Sequence, residues 1–290
     1  MKTNAIIRII LYFAVILVLV GILVCGLSFG LFSGRRSLSF SWKESGGTVT
    51  SSGSTNAAGI RELSLDWASG TITIQSGDTD SITYRETGAS DSKYQMVVSE
   101  SGGKLSIRYC QNDVLPGISI RGNLRKDLEI IVPRDWVCDQ LEINVASADV
   151  TVTDLTIREV EFDGASGVCS FENCQVTDLD IDTASGDIRF TGTLDTLECD
   201  AASASLYAVL DNCPSRISMD SASGGLDLTL PSDAGFTLDK STMSGDFFSD
   251  FPTTNQNGKH ICGNGSCRID FNAASGDISI RKGALGSSIT

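Results

Sequence analysis

Apolar and polar residues alternate with a period of two along most of this chain, and one short motif interrupts the alternation at regular intervals. In residues 182–190 an Asp is followed by the triplet Ala-Ser-Gly and then by apolar residues at alternate positions. A period of two is typical of a β-strand with one buried face. A small-residue triplet between two such stretches predicts a tight corner, at which Gly permits a positive φ.

The motif occurs eight times, and its spacing decides the predicted fold. From the second copy onward the motif serines recur at nearly equal intervals, except for a longer last gap between Ser244 and Ser275. One unit cannot bury its apolar side chains alone, whereas a stack of units can. We interpret the eight serines as structural repeat corners: Ser69, Ser147, Ser166, Ser185, Ser203, Ser223, Ser244 and Ser275.

We therefore predict an all-β, repeat-built β-solenoid of about 19-residue coils, which occupies residues 60–283. The gap between Ser69 and Ser147 is close to four periods of the repeat. We accordingly expect roughly 10–12 coils in all. A twisted sandwich of consecutive hairpins is the alternative architecture.

The motif residues have a structural role in this prediction. Ala, replaced once by Met243, is expected to enter the core where two walls of a coil converge. Ser, and the Asp or Asn that precedes it in the motif, are expected to hydrogen-bond to the backbone of the turn. The alternative is an acidic ladder that binds cations such as calcium, but calcium needs more converging oxygen ligands than this motif supplies.

The N-terminal segment has a different character. Residues 9–32 are uncharged without interruption, and a helix of that length spans about 36 Å, enough to cross a hydrocarbon core of about 30 Å. The run is longer than the apolar part of a cleaved signal peptide. We predict that residues 1–36 form a short tail and one N-terminal transmembrane helix. This single-pass anchor would place the tail in the cytoplasm and the C-terminal domain in an extracytoplasmic position at the cell membrane.

Two further segments are predicted to lie outside the repeat domain. Residues 37–59 are rich in Ser, Gly and Thr, a composition that favours a flexible linker with at most one short strand, around Leu38–Trp42. Residues 284–290 form a short C-terminal tail.

Charge excludes one class of partner. The formal net charge is −14, and beyond residue 36 only 18 of the 22 Lys and Arg remain to face 36 Asp and Glu. An acidic body of this kind repels phosphate groups, so we predict no nucleic acid partner. The chain has one histidine, His260, which argues against chemistry built on histidine pairs or triads. No cofactor is predicted.

The gap of 31 residues between Ser244 and Ser275 contains an insertion, residues 249–267, which we predict to be a polar surface loop. Loops of this length on a regular array are candidate binding sites. Cys262 and Cys267 could close the loop with a disulfide; free thiols, and a metal site that includes His260, are the alternatives. The candidate interaction residues of the loop are Asp250, Phe251, Asn255, Asn257, Lys259, His260 and Asn264.

The ordered set of motifs resembles the bacterial putative-adhesin family of β-strand-repeat proteins (domain of unknown function 4097). The resemblance rests on the Ala-Ser-Gly-Asp-Ile repeats, on the strand 128–133 that leads into a repeat, on Leu228–Pro231, and on the closing repeat 274–280. It covers about residues 60–283. The resemblance implies an envelope protein, often with a membrane segment, linked to adhesion or to envelope stress responses. It brings no catalytic residues.

These observations favour a non-catalytic, membrane-anchored binding or scaffold module that contacts an unidentified envelope component or protein partner. The first alternative is a structural envelope protein that self-associates through coil ends or strand edges. The second is a polysaccharide-active enzyme, which would need a carboxylate pair in a groove. The acids of this chain recur instead as turn residues.

Overall fold

The computed structural model describes residues 49–88, 94–110 and 125–283. The predicted membrane helix and the C-terminal tail lie outside these ranges, within which no helix is long and apolar enough to span a membrane. The described chain is all-β, as predicted, with one turn of 3₁₀ helix at Ala57–Gly59.

The strands of the described ranges are β1 (Val49–Asn56), β2 (Glu62–Gly77), β3 (Ser81–Thr87), β4 (Val97–Ser101), β5 (Lys104–Arg108), β6 (Lys126–Pro133), β7 (Val137–Thr153), β8 (Thr156–Ser166), β9 (Cys169–Leu210), β10 (Arg216–Ser223), β11 (Leu226–Leu230), β12 (Phe236–Ser244), β13 (Phe247–Ser249), β14 (Thr254–Gln256), β15 (Lys259–Cys262), β16 (Cys267–Ser275) and β17 (Ile278–Lys282).

Successive repeats pair in parallel, with equivalent residues side by side. Asn144 of β7 pairs with Asp163 of β8, which pairs with Asp182 of β9, and Asp200 of β9 pairs with Asp220 of β10. Parallel pairing at an offset of one repeat does not fit consecutive hairpins, whose neighbouring strands run antiparallel. Each repeat is therefore one layer of a stack.

Each layer has two outer surfaces, which the motif corner separates. We call the surface formed by strand segments before the corner the first face, and the surface formed by segments after it the second face. For example, β10 contributes to the first face and β11 to the second, and each pairs with a different part of β9. The inward side chains of both faces form one hydrophobic core, so the two faces enclose the apolar residues of every layer.

The layers do not stack in sequence order. At the C-terminal end β16 lies between β10 and β12, and β17 lies between β11 and β13. At the other end β2 lies between β7 and the layer that β5 and β6 form. The last layer in the sequence is thus second from one end of the stack, and the first layer is second from the other end.

The described residues form nine parallel layers, so the expected 10–12 coils were too many. The described part of the stretch between the first two motifs contains one layer, β5 and β6, rather than three. Its other strands run antiparallel and cover the end of the stack: β3 pairs with β6, β1 with β3, and β4 with β5. At the opposite end β15 pairs antiparallel with β12, and β14 with β15. These strands satisfy backbone groups that an open edge would expose.

The linker prediction was wrong for residues 49–56. This segment is β1, and its small residues have a packing reason: a Cβ on Gly53 would lie 2.6 Å from the Tyr84 ring. The Thr50 hydroxyl also donates a hydrogen bond to the Glu86 carboxylate, at 3.3 Å. A composition typical of linkers is here the composition of a strand packed flat against an aromatic ring.

A buried ion pair stabilises the end of the stack that β5 and β6 form. Lys126, whose side chain is fully buried, donates hydrogen bonds to the Glu86 carboxylate, to Tyr109 O and, at 2.7 Å, to Tyr94 O. Its ammonium also lies 3.8 Å from the centroid of the Tyr109 ring and 4.8 Å from that of Trp67. A buried charge is tolerated only with this degree of compensation.

The motif Ala does not enter the core, which corrects the sequence prediction. The residue before it points inward, as Trp67, Val145 and Ala201 show with exposures of 2%, 5% and 0%. Strand side chains alternate between faces, so the Ala that follows must point outward. Met243, at the Ala position of β12, is accordingly 79% exposed.

At Gly186 and Gly224 the motif Gly is needed both for its backbone conformation and for its lack of a side chain, whereas two other motifs have Ala148 and Ala204 at this position. Gly186 has a φ of +133°, as expected for the corner, and a Cβ there would lie 1.8 Å from Gly167 O of the neighbouring layer. At Gly224 the corresponding distance, to Ala204 O, would be 1.7 Å. The corners of adjacent layers therefore touch through their backbones.

We predict that Gly186→Ala lowers the free energy of unfolding by at least about 2 kcal/mol, because it combines an unfavourable φ with a backbone collision. The control is Gly59→Ala, since Gly59 has an ordinary φ and a Cβ added there would meet nothing within 4 Å. That change should stay within about 0.5 kcal/mol. Chemical denaturation followed by circular dichroism measures both variants, and equal stabilities would contradict the close-contact explanation.

Candidate interaction surfaces

The motif serines form a ladder along one edge of the stack. The registers place Ser69 beside Ser147 and Ser147 beside Ser166, and they place Ser275 between Ser223 and Ser244. The ladder therefore follows the line along which the layers turn from the first face to the second.

One motif serine bonds to corner backbone, since Ser185 Oγ donates to Ala165 O of the neighbouring layer at 3.4 Å. Other hydrogen bonds at the corner involve side chains that the sequence prediction did not select. In three layers the inward hydroxyl before the motif Ala donates to the carbonyl of the motif Ser; in β10, for example, Ser221 Oγ donates to Ser223 O at 3.0 Å. The Asp after the corner accepts from the backbone of a neighbouring layer, as Asp149 Oδ1 does from Val168 N at 3.0 Å. The polar residues that follow the corner thus fix one layer to the next.

The acids before the corner form two adjacent ladders on the first face. One ladder contains Asp163, Asp182, Asp200 and Asp220; the other, on the preceding outward position of each layer, contains Glu142, Glu161, Asp180 and Glu198. Neighbouring strands are about 4.8 Å apart, so the carboxylates in the middle of each ladder face similar charges in the layers above and below, while the first ladder ends against Asn144 and Asn272.

Cations are found towards the ends of these ladders. Lys104 Nζ lies 2.7 Å from Glu142 Oε2 at one end. At the other end Arg216 and Arg268 both contact Asp270, at 3.4 and 2.9 Å. The middle layers of the first face are therefore the most negative part of this surface.

The crowding of carboxylates changes their acidity. Partial burial and then repulsion from Asp220, Asp182 and Glu198 raise the pKa of Asp200 to about 7. The pKa of Asp182 rises to about 6 for the same reasons, burial first and repulsion from Asp163 second. The middle of the first face therefore takes up protons close to neutral pH.

The insertion 249–267 forms a hairpin of β14 and β15 that lies along β12. Phe251 is 5% exposed and packs edge-to-face on Phe236 with ring centroids 5.5 Å apart. His260 lies against the Phe247 ring at 4.6 Å. These two candidate residues hold the hairpin on the stack.

The remaining candidate residues of the insertion shape its turns or join it to the stack. Asp250 accepts a hydrogen bond from the Lys282 backbone at 3.2 Å, and Lys259 lies 2.8 Å from Asp239. Side-chain oxygens of Asn255 and Asn264 accept from Gly258 N and Ser266 N, and Asn257 has a φ of +53°. The exposed tip at Asn255 and Asn257 is what remains available to a partner, and its role as an interaction loop stays a prediction.

Cys262 and Cys267 are free thiols in the structure, so the disulfide predicted between them is not formed. The register explains this, because Cys262 pairs with Phe236 from one side and Cys267 pairs with it from the other. Two strand spacings separate the cysteines by about 9–10 Å, whereas a disulfide joins Cα atoms about 4.4–6.8 Å apart.

A different cysteine lies beside Cys267. Burial and then the neighbouring Cys213 thiol raise the pKa of the Cys267 thiol. Cys213 Sγ donates to Gly235 O at 3.5 Å, the same oxygen that accepts from Cys267 N at 2.9 Å. The spacing of Cys213 and Cys267 in the sequence does not indicate that they are neighbours. They come together because the layers do not stack in sequence order. Cys169 and Cys199 are 1% and 0% exposed and pack in the core as small apolar residues.

Sequence reasoning also missed an apolar patch on the second face. Tyr207, Val209 and Phe248 point outward and are 43%, 50% and 56% exposed. The available signal was a break in the alternation: residues 206–210 read Leu-Tyr-Ala-Val-Leu, with no polar residue at the outward positions. Exposed aromatic side chains on a regular β surface are typical of binding sites.

Three comparisons place this fold among known proteins. A family model described as Toastrack DUF4097 matches residues 60–281, and a search of curated proteins found no match. A solved structure described as a putative adhesin from Bacteroides fragilis is 12% identical, with a TM-score of 0.50, and the match covers 81% of this chain and 97% of that one. A putative cell adhesion protein from Clostridium sporogenes is 11% identical with a TM-score of 0.37, over 81% and 100% of the two chains. A putative lipid binding protein from Parabacteroides distasonis is 11% identical with a TM-score of 0.22, over 81% and 96%.

We predict that stability increases as the pH falls from 8 to 5. The folded pKa of Asp200 is about 7 and that of an unfolded Asp is about 3.9, so the folded state binds the proton more tightly and is favoured as pH falls through 7. Asp200→Asn should therefore raise the melting temperature at pH 8 and have a smaller effect at pH 5.

The control for this prediction is Asp233→Asn, in the exposed turn after β11 and away from the ladders. Thermal unfolding at four pH values compares both variants with the parent chain. An equal response of the two variants to pH would show that the ladder is not responsible.

We predict that mild oxidation joins Cys213 to Cys267 and that the bond raises the free energy of unfolding by about 2–4 kcal/mol. Peptide mapping by mass spectrometry without reduction identifies the pair. Cys213→Ser should abolish the crosslink and Cys262→Ser should leave it intact. Recovery of a crosslink between Cys262 and Cys267 would contradict the register described above.

Proposed function

Because this chain belongs to the Toastrack DUF4097 family, we propose that it is a non-catalytic, adhesin-like binding or scaffold module of the bacterial cell envelope, with a role in adhesion or envelope stress response. In this proposal the domain is a β-solenoid, and residues 9–32 anchor it in the cell membrane with the stack on the extracytoplasmic side. The Bacteroides fragilis structure, which is described as a putative adhesin, supports the fold on which the proposal rests.

The observation that carries the proposal is the in-register display of outward side chains on two long faces. Nine layers at about 4.8 Å extend roughly 38 Å, and each layer repeats similar chemistry along that length. Such a surface suits contact with an extended partner, because every added layer adds equivalent contacts. Acidic ladders on the first face favour a neutral or cationic partner over an anionic one.

The two alternatives have less support. Antiparallel strands cover the last layer on both faces at one end of the stack and on the first face at the other, which weighs against self-association through coil ends. The carboxylates of the first face are distributed over successive layers, whereas a glycoside hydrolase needs one pair on opposite sides of a bond.

The proposal is tested in cells whose outer envelope layers have been removed and whose cytoplasmic membrane is intact. We expect added protease to degrade the C-terminal domain, while an epitope tag placed before residue 9 survives until the membrane is permeabilised. Chemical crosslinking in the same cells should capture one envelope component reproducibly. A domain that is digested only after permeabilisation would contradict the location, and capture of this chain alone would favour the self-associating alternative.

A further inference from the structure

A shallow groove crosses the second face near the C-terminal end of the stack. Four outward residues lie side by side on neighbouring strands, in the order Tyr207, Asp227, Ser279 and Phe248. Three strand spacings separate the two aromatic residues by about 14 Å. The side chains between them are smaller, and the groove has a volume of about 440 Å³. The aromatic residues therefore flank a polar floor.

Side chains in the groove hold one another in place. Arg281 lies 3.2 Å from Asp227 and donates to Ser279 Oγ at 3.2 Å. At one rim Asp277 accepts a hydrogen bond from the backbone of Asp246 at 2.8 Å. Polar groups that are already positioned lose little conformational entropy when a ligand binds.

The Tyr207 ring is also supported from behind. Arg189 belongs to the layer next to Tyr207 on the side away from the groove, and its guanidinium lies 5.8 Å from the centroid of the Tyr207 ring. Arg189 is itself paired with Asp187 at 2.8 Å. Contact between a guanidinium and an aromatic ring favours a defined ring orientation. The arginine stabilises Tyr207 from outside the groove, whose lining includes the ring.

The chemistry of the groove restricts its ligand. Asp227, Asp246 and Asp277 outnumber the single cation of the lining, Arg281, so an anionic ligand is repelled. Strand β17, on the groove floor, is paired on both sides with β11 and β13, so its backbone cannot accept a peptide as an added strand. The polar floor offers no continuous apolar trough for an acyl chain.

We propose that this groove binds a neutral oligosaccharide, a ligand that rests on the proposed binding function and gives it a chemical class. A sugar ring has an apolar C–H face that can stack on Tyr207 or Phe248, and it carries hydroxyl groups at its edge. Carboxylates accept hydrogen bonds from these hydroxyls and Arg281 donates to their oxygens, in the charge-assisted form that is strongest. The separation of the aromatic rings suits a chain of a few sugar residues.

The test measures binding of the full-length chain to a panel of neutral oligosaccharides, namely malto-, cello- and chito-oligosaccharides, with oligogalacturonate as the anionic comparison. Isothermal titration calorimetry should detect at least one neutral series and no binding of the anionic one. Tyr207→Ala and Phe248→Ala should each weaken binding at least tenfold. Tyr207→Phe, which keeps the ring, should stay within about threefold of the parent chain, a change under 1 kcal/mol.

Val209→Ala is the matched control. Val209 is the next outward residue after Tyr207 on the same strand and is 50% exposed, but it does not line the groove. Its replacement should leave affinity unchanged, and circular dichroism should verify that every variant is folded. Absence of binding to all three neutral series, tighter binding of the anionic series, or binding unaffected by loss of either ring would overturn the proposal.

Failure here is distinguishable from failure of the proposed function. If the parent chain captures an envelope component in cells and Tyr207→Ala captures it equally well, the binding role stands and the groove is not its site. If the parent chain captures nothing, the binding role itself is lost, whatever the calorimetry gives.

Discussion

The contact between the corners of adjacent layers is the constraint on which the rest of the structure depends. At this corner the backbone of one layer touches a carbonyl of the next so closely that a Cβ at Gly245 would lie 1.9 Å from Gly276 O. Such a contact leaves no freedom for one layer to slide along another. The register is therefore the same in every layer, and inward residues of all layers meet in one core.

Fixed register has an electrostatic cost on the outer surface. Because equivalent positions stack, acids at one position of the repeat become a row of like charges, which destabilises the folded state. The structure offsets this repulsion at the ends of the row with Lys104 and Arg216, and in the middle through the raised pKa of Asp200. The same regularity that stabilises the core thus makes the first face sensitive to pH.

The sequence predicts what is local and repeated, and it fails where distant segments meet. The regular period of the motif identified the all-β class and the corners, since each corner needs only its own short motif. The sequence analysis placed the motif Ala on the inward side of the strand, whereas it points outward. The error arises because a shift by one position exchanges the two faces of a strand. The pairing of β16 with both β10 and β12, and with it the contact between Cys213 and Cys267, has no local signal because similar repeats could pair in several orders.

The interleaved order of layers has a consequence for synthesis of the chain on the ribosome. β16 and β17 are synthesised after the other described strands, yet their places lie inside the stack, so β10 and β12 cannot acquire their final neighbours until residue 282 has been made. During that interval β12 carries a motif similar enough to β16 to pair directly with β10. Pairing of strands that are distant in sequence is intrinsically slow. Strand edges that stay exposed in the meantime can pair incorrectly. The C-terminal part of the stack is therefore completed only once β16 and β17 have been made, whereas the layers from β7 to β11 can form in the order in which they emerge.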